Sequence, residues 1–204
     1  EKLPVTRKDD IIDMRRENPP FGGLIAVPIE KLERVYMSPG PIYDVETLDD
    51  NFFRRAEEIF HAAGFRKGDV GAVSWAYHLV PLGHWLDRTL RRMGIPVIPL
   101  GTGNTELQVQ VLREMKVTGW TGSTSFLMNI LNKAEELGYD VRRDLSLRVV
   151  LAGGEMGGVP IRKIVEEKYG IRTGDFYGTS DVGFLGYECR EKGGLHFSEE
   201  VVIE

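Results

Sequence analysis

The chain has 204 residues, 42% of them hydrophobic and 28% charged, and a formal net charge of -5. That length and mix suit one globular domain with a real core, and the acidic balance gives no reason to expect a nucleic-acid or anionic-membrane partner. One cysteine, Cys189, excludes an internal disulfide framework and fits a reducing cytoplasm; no apolar run reaches the roughly 20 residues that cross a bilayer. Glu1-Lys2-Leu3-Pro4 is no signal peptide. Both ends read as cut, the chain opening in linker-like sequence and stopping within the strand-like Glu200-Val201-Val202-Ile203-Glu204, so a longer domain or protein is expected.

In chain order, Thr6 with Asp9 resembles a capping box and predicts a short helix to about Arg16, ended at Pro19-Pro20-Phe21-Gly22-Gly23. Glu33 to Met37 is a strand candidate before the turn-rich Ser38-Pro39-Gly40-Pro41. From Thr47, the residues Phe52, Phe53, Ala56, Ile59, Phe60 and Ala63 recur at helical spacing, and Gly64 closes that helix. Val70 to Trp75 reads as a buried strand; Leu79, Leu82, Leu86, Leu90 and Met93 stripe the next helix, ended by Gly94. Pro96 to Leu100 is a short strand, and Thr105 is expected to cap a helix with Leu107, Val111, Leu112 and Met115 on one side. Val117 to Thr121 is a strand, followed by a helix striped by Phe126, Leu127, Ile130, Leu131, Ala134 and Leu137. Leu147 to Ala152 is the clearest strand, and Pro160 and Gly170 bracket a helix. Strand-like residues run from Ile171 to Tyr177, and Gly183 to Cys189 pairs with Leu195 to Phe197 through a charged turn.

Strands alternating with helices of this length predict an α/β fold, a mostly parallel sheet of β-α units with helices on both faces, ending in a β-hairpin. We divide it into an opening segment, 1–45, a nucleotide- and acyl-binding α/β core, 46–182, and the hairpin, 183–204, which reads as truncated.

In such sheets ligands sit outside the carboxyl ends of the strands, and two turns lie there. In Asp175-Phe176-Tyr177-Gly178-Thr179-Ser180-Asp181, Tyr177 can stack on a flat ring, Gly178 lets a ligand approach the backbone, and Ser180 and Asp181 can meet phosphate or Mg²⁺. Leu151-Ala152-Gly153-Gly154-Glu155 is the second, a glycine turn after an apolar strand. Each is also an ordinary polar turn when taken alone. Arg88, Arg91 and Arg92 read as a solvated helix face, and His61, His78 and His84 as structural. Gly101-Thr102-Gly103-Asn104 lacks the third glycine of a dinucleotide fingerprint and reads as a strand-to-helix turn.

Taken together and in order, these residues resemble the acyl-adenylate-forming ligases, and within them the phenylacetate-CoA ligase and coenzyme F390 synthetase-like branch. Tyr177-Gly178-Thr179-Ser180-Asp181 is similar to that superfamily's Tyr-Gly-x-Thr-Glu motif, and Gly153-Gly154-Glu155 to its adenine-flanking turn. Further matches are Gly64-Phe65-Arg66-Lys67-Gly68-Asp69, Gly94 to Pro99, Glu188-Cys189 with Gly194-Leu195-His196, and the opening Leu3 to Asp10. The resemblance implies ATP-dependent activation of a carboxylic acid to an acyl-adenylate, then transfer to coenzyme A. It places Gly153, Gly154, Glu155, Asp175, Phe176 and Tyr177 around the adenine of ATP or AMP, with Gly178 beside them. Thr179 and Ser180 fall at the phosphate, and Asp181 takes the catalytic, Mg²⁺-linked carboxylate role. Trp75, Ala76, Tyr77 and Trp120 would line a pocket for an aryl acid, although tryptophans here also suit a plain core.

The sequence departs from the family at the phosphate loop, Ser-Ser-Gly-Thr-Thr-Gly-Lys-Pro, where it reads Met37-Ser38-Pro39-Gly40-Pro41-Ile42-Tyr43-Asp44. Pro39 and Pro41 each remove an N–H donor, the lysine is absent, and Asp44 adds a repelling charge. Lost charge-assisted hydrogen bonds at about 1.5–3 kcal/mol each would weaken a triphosphate's binding by orders of magnitude. The family's C-terminal lid with its catalytic lysine lies outside these residues, so a lid domain or partner chain is expected, and a homodimer is left open. Cys189 and His196 could contribute to a structural Zn²⁺ site; a buried thiol and a surface histidine are the plainer reading. Two further readings stay open: a non-catalytic relative that binds adenylate or acyl-CoA, and an unrelated Rossmann-like protein.

Overall fold

The computed structural model describes residues 6–38, 42–47 and 50–199. Helix α1 spans Lys8–Glu17. Its first turn is closed by Asp10, whose carboxylate accepts from the Arg7 N–H at 2.8 Å, so Arg7 and Asp10 take the places expected of Thr6 and Asp9. Strands β1 (Arg34–Ser38) and β2 (Ile42–Glu46) form a small antiparallel sheet. Ile42 to Asp44 was read as the end of the altered phosphate loop; here Ile42 opens a strand and is buried, and so is Glu46, which accepts from Arg88 at 2.9 Å and from the Tyr36 hydroxyl. Arg88 therefore belongs to a tether between this hairpin and the main body rather than to a solvated face.

The main body follows as α2 (Asp50–Ala63), β3 (Gly71–Val73), α3 (Leu82–Arg92), β4 (Val97–Pro99), α4 (Thr105–Glu114), β5 (Gly119–Gly122), α5 (Thr124–Glu136), α6 (Val141–Asp144), β6 (Val149–Gly153) and α7 (Val159–Tyr169), then β7 (Arg172–Thr179), β8 (Gly183–Glu188) and β9 (Leu195–Phe197). The strands lie in the order β4-β3-β5-β6-β7-β8-β9. The first five run parallel, and β8 and β9 add antiparallel neighbours at one edge.

β6 explains why the sheet is covered on both sides. Its side chains alternate faces, and all five of its residues are buried. Val150 and Ala152 join Ala72 and Trp120 against α4, α5 and α7, whereas Val149 and Leu151 join Val73 and Phe176 against α2 and α3. A strand buried on both faces reads as a continuous apolar run, as the sequence does here.

Three local expectations are corrected. Leu79 precedes α3 in a loop, with φ 62° and half its surface exposed. Helix α4 buries Gln108, Val109 and Leu112, while Leu107 and Met115 face solvent. Its cap is Asn104, whose side chain accepts from Leu107 N, rather than Thr105. The polar Gln108 earns its burial through bonds to Ser74 and to the carbonyls of Gly101 and Gly103, which pin the turn read above as a strand-to-helix connection. Among the described residues no helix is long and apolar enough to cross a membrane.

Candidate functional site

The two glycine-bearing turns meet. The turn after β6 and the end of β7 leave the sheet side by side at the carboxyl edge of its parallel strands, where Gly153 pairs with Phe176. Between them opens a cleft of about 360 Å³ whose walls include Gly154, Glu155, Met156, Asp175 to Ser180, and residues of α3 and β8. Glu155 and Tyr177 line the same cleft.

Two backbone features shape that wall. Gly154 has φ +72°, and a Cβ there would lie 3.0 Å from the Trp75 ring. Gly178 would place a Cβ 2.6 Å from the Gly183 carbonyl oxygen, so only a glycine lets β7 and β8 close up where their register shifts. Strand β7 thus continues to Thr179 before turning, two residues beyond the expected limit at Tyr177. This carries the Tyr177 ring to the surface, half exposed and edge-on to Phe197. Phe176 points the other way, buried against Trp75 and Phe184.

Glu155 is held by the start of α5, accepting from the Ser125 N–H at 2.9 Å and the Ser125 hydroxyl at 2.5 Å. Partial burial works to raise its carboxyl, but these bonds outweigh it and hold the group below the usual carboxylate range. Asp175 is the opposite case. Burial raises its carboxyl above the usual range, only partly offset by Arg162 at 3.1 Å and the Phe176 N–H. Arg162 lies on α7, 4% exposed, and also binds Glu188 of β8 at 2.5 Å.

Ser180 borders both the cleft and a smaller hollow of about 210 Å³ that is lined by Asp181, Asp44 and Arg15. Asp181 is 3.3 Å from the Lys8 ammonium. Burial raises the Asp44 carboxyl, a Ser38 hydrogen bond opposes this, and the nearby Asp181 adds to it. Of the altered phosphate loop read at Met37 to Asp44, Pro39 to Pro41 lie outside the described residues.

The expected acyl wall is placed differently. Trp120 is wholly buried on the far face of the sheet, its ring packed under Gly122, and it touches no part of the cleft. Trp75 stands behind Gly154 with its indole N–H on the Thr121 hydroxyl at 3.1 Å. Tyr77 donates to Asp87 at 3.2 Å, and the Ala76 carbonyl is covered by Gly83. None of the four lines the cleft. The aromatic wall comes instead from Trp85 of α3 with Phe176 and Phe184, and Leu82 and Leu195 extend it. Sequence reasoning missed Trp85, Phe184 and Arg162. Trp85 does fall one residue before Leu86 of the predicted stripe, so a wider apolar face would have included it.

Cys189 follows β8 and His196 sits on β9, its ring tilted against Tyr187 at 5.8 Å. Among the described residues no group of three or more His, Cys, Asp and Glu is arranged to hold a metal.

No protein-family model matches the chain. It is 33% identical over 198 residues to a phenylacetate-coenzyme A ligase of Pseudomonas putida, covering 93% of this chain and 44% of that protein. A phenylacetate-coenzyme A ligase of Aromatoleum evansii is 32% identical, with the same coverage of 93% and 44%. The chain therefore spans less than half the length of these relatives. Among solved structures, a 2-hydroxyisobutyryl-CoA ligase in complex with 2-HIB-AMP and CoA superposes with a TM-score of 0.86 at 22% identity, covering 94% of this chain and 44% of that one. A benzoate CoA ligase from Burkholderia xenovorans LB400 gives 0.64 at 16% identity over 83% and 34%.

Proposed function

The chain belongs to the adenylate-forming ligase superfamily, in its phenylacetate-coenzyme A ligase branch, and from that premise we propose that it forms the AMP- and ATP-binding core of an acyl- or aryl-CoA ligase-like protein. The observation that carries this is the meeting of Glu155 and Tyr177 on one cleft at the carboxyl edge of the parallel sheet. The purine lies against Gly154 and the exposed Tyr177 ring, with Asp175 at its polar edge. The carboxylic acid takes the apolar side of the cleft, where Trp85, Phe176 and Phe184 provide flat surface suited to an aryl group. Thr179 and Ser180 offer hydroxyls to the phosphate.

In this reading the protein contributes position and dryness. Activation joins a carboxylate oxygen to the α-phosphorus of ATP and releases pyrophosphate; coenzyme A then displaces AMP to give the thioester. Mg²⁺ supplies charge neutralisation for the polyphosphate when bound. Asp181 and Asp44 are the carboxylates it would meet, once Lys8 releases Asp181. Completion of the cycle falls to the lid domain or partner chain that the relatives' greater length leaves room for.

The composition of the hairpin loop favours a second reading, a binding protein that keeps the adenylate cleft and has lost the triphosphate grip. Calorimetric titration with AMP and an aryl acid tests the first proposal, and absence of binding to both overturns it. ATP–pyrophosphate exchange with a panel of aryl acids separates the two: exchange above background removes the second reading.

A further inference from the structure

The polar edge of the cleft depends on a group that never touches it. Arg162 is 96% buried at the start of α7, and its guanidinium is divided between two carboxylates on adjacent strands: Asp175 at 3.1 Å and Glu188 at 2.5 Å, with a second, longer contact to Glu188 at 3.4 Å. Its Nε–H has no partner among the described residues. One cation so placed cannot satisfy two anions fully. The shorter and doubled contact goes to Glu188, which leaves Asp175 the weaker share.

We propose that Arg162 is a positioning residue for base recognition: it holds the Asp175 carboxylate at the cleft wall as a hydrogen-bond acceptor, and Glu188 limits how firmly. The proposal rests on the nucleotide reading of the cleft. An ionised carboxylate accepts from an exocyclic amino group such as that of adenine and repels the carbonyl oxygen found at that place in hypoxanthine. A neutral carboxyl can donate instead and loses that preference. The charged groups acting on Asp175 are Arg162 from α7 and Glu188 from β8; β6, packed on its other side, presents Ala152, Gly153 and Gly154, which carry no charge. Glu188 therefore couples to the base through Arg162 without reaching the cleft.

The test uses the full chain and two variants, Glu188→Gln and Arg162→Met. The Asp175 carboxyl is titrated by ¹³C NMR, and AMP and IMP are titrated calorimetrically across the same pH range. In Glu188→Gln the guanidinium turns wholly to Asp175. Its carboxyl then titrates at lower pH than in the wild type, and the AMP preference over IMP persists further into acid. In Arg162→Met the carboxyl titrates higher and that preference falls roughly tenfold near neutrality. Should Arg162→Met not fold, Glu188→Gln carries the test alone. If the wild type binds AMP while Glu188→Gln leaves both the Asp175 titration and the pH profile of base preference unmoved, the inference is wrong. If the wild type binds neither nucleotide, the nucleotide reading and the base-recognition role fall together, and the NMR titration still decides whether Glu188 and Asp175 share the arginine.

Discussion

Replacing Asp69 by asparagine should unfold this domain at markedly lower temperature without touching the cleft. Asp69 is 4% exposed at the entry to β3, opposite to the edge where the cleft opens. Its carboxylate accepts from Arg148 Nε at 2.9 Å and from Arg148 Nη2, from the Arg66 N–H at 2.8 Å and from the Thr118 hydroxyl at 2.8 Å. Asparagine keeps one oxygen, but its amide turns two N–H groups on a guanidinium that has lost its counter-charge. Breaking a buried pair costs about 3–5 kcal/mol. Because Arg148 is 31% exposed, water screens part of the loss and about 2–3 kcal/mol is the better figure. For a domain of this size that lowers Tm by about 4–12 °C. Burial alone would raise the Asp69 carboxyl, yet the Arg148, Arg66 and Thr118 hydrogen bonds hold it below the ordinary carboxylate range. A depressed folded-state value contributes stability above about pH 4, the unfolded value, and loses it as pH falls through the folded one. The gap between wild type and variant should therefore be full at pH 7 and narrow towards pH 3, as read by calorimetry. A gap below about 1 kcal/mol at neutral pH, or one unchanged in acid, refutes the reasoning.

Three further outcomes follow from the cleft. Tyr177→Ala should weaken AMP by about 5- to 150-fold, the range of one lost aromatic–base stack, while Tm stays within a degree or two because the ring is half exposed; titration calorimetry and a melting curve read both. Gly153→Ala places a Cβ 2.6 Å from the Phe176 ring, which Trp75 and Phe184 already confine, so stability drops by about 1–3 kcal/mol and AMP affinity falls with it. Ser125→Ala removes one of the two bonds holding Glu155, costs about 1 kcal/mol, and should leave the Glu155 carboxyl titrating closer to its ordinary value by NMR.

Much of the fold was legible because it rests on patterns with a short period. The β6 run is apolar at consecutive positions since both of its faces are covered, and the Gly64, Gly94 and Gly170 stops mark helix ends with φ of +111°, +73° and +71°. The errors cluster where a distant residue decides. Ile42 to Glu46 can be strand with Glu46 buried because Arg88 pairs with its charge and the Tyr36 hydroxyl donates to it inside the body, a contact to α3 that no local window contains. Gln108 is core because three acceptors and donors from two other turns surround it.

The candidate site divides along the same line. Its glycines and Tyr177 were readable, since close backbone approach and an exposed ring at a strand end leave a compositional mark. The expected acyl wall was not. Trp75 and Trp120 follow strand positions, and strand side chains alternate faces: Trp75 falls on the cleft's own face but stands behind Gly154 with its N–H on Thr121. In β5, Trp120 falls on the α4–α5–α7 face with Val150 and Ala152, whereas the cleft draws on the α2–α3 face through Trp85, Phe176 and Phe184. A one-residue difference in phase thus decides whether a tryptophan packs on the far face of the sheet or on the face where the cleft opens. Arg162 was invisible for a related reason: nothing in Pro160-Ile161-Arg162 announces a buried charge, and only the antiparallel return of β8 beside β7 brings Glu188 and Asp175 to the same guanidinium. Strand β8, which lies between β7 and the edge strand β9, thus carries Glu188 to the guanidinium that faces Asp175, and Glu188→Gln should be felt by a ligand that Glu188 itself never touches.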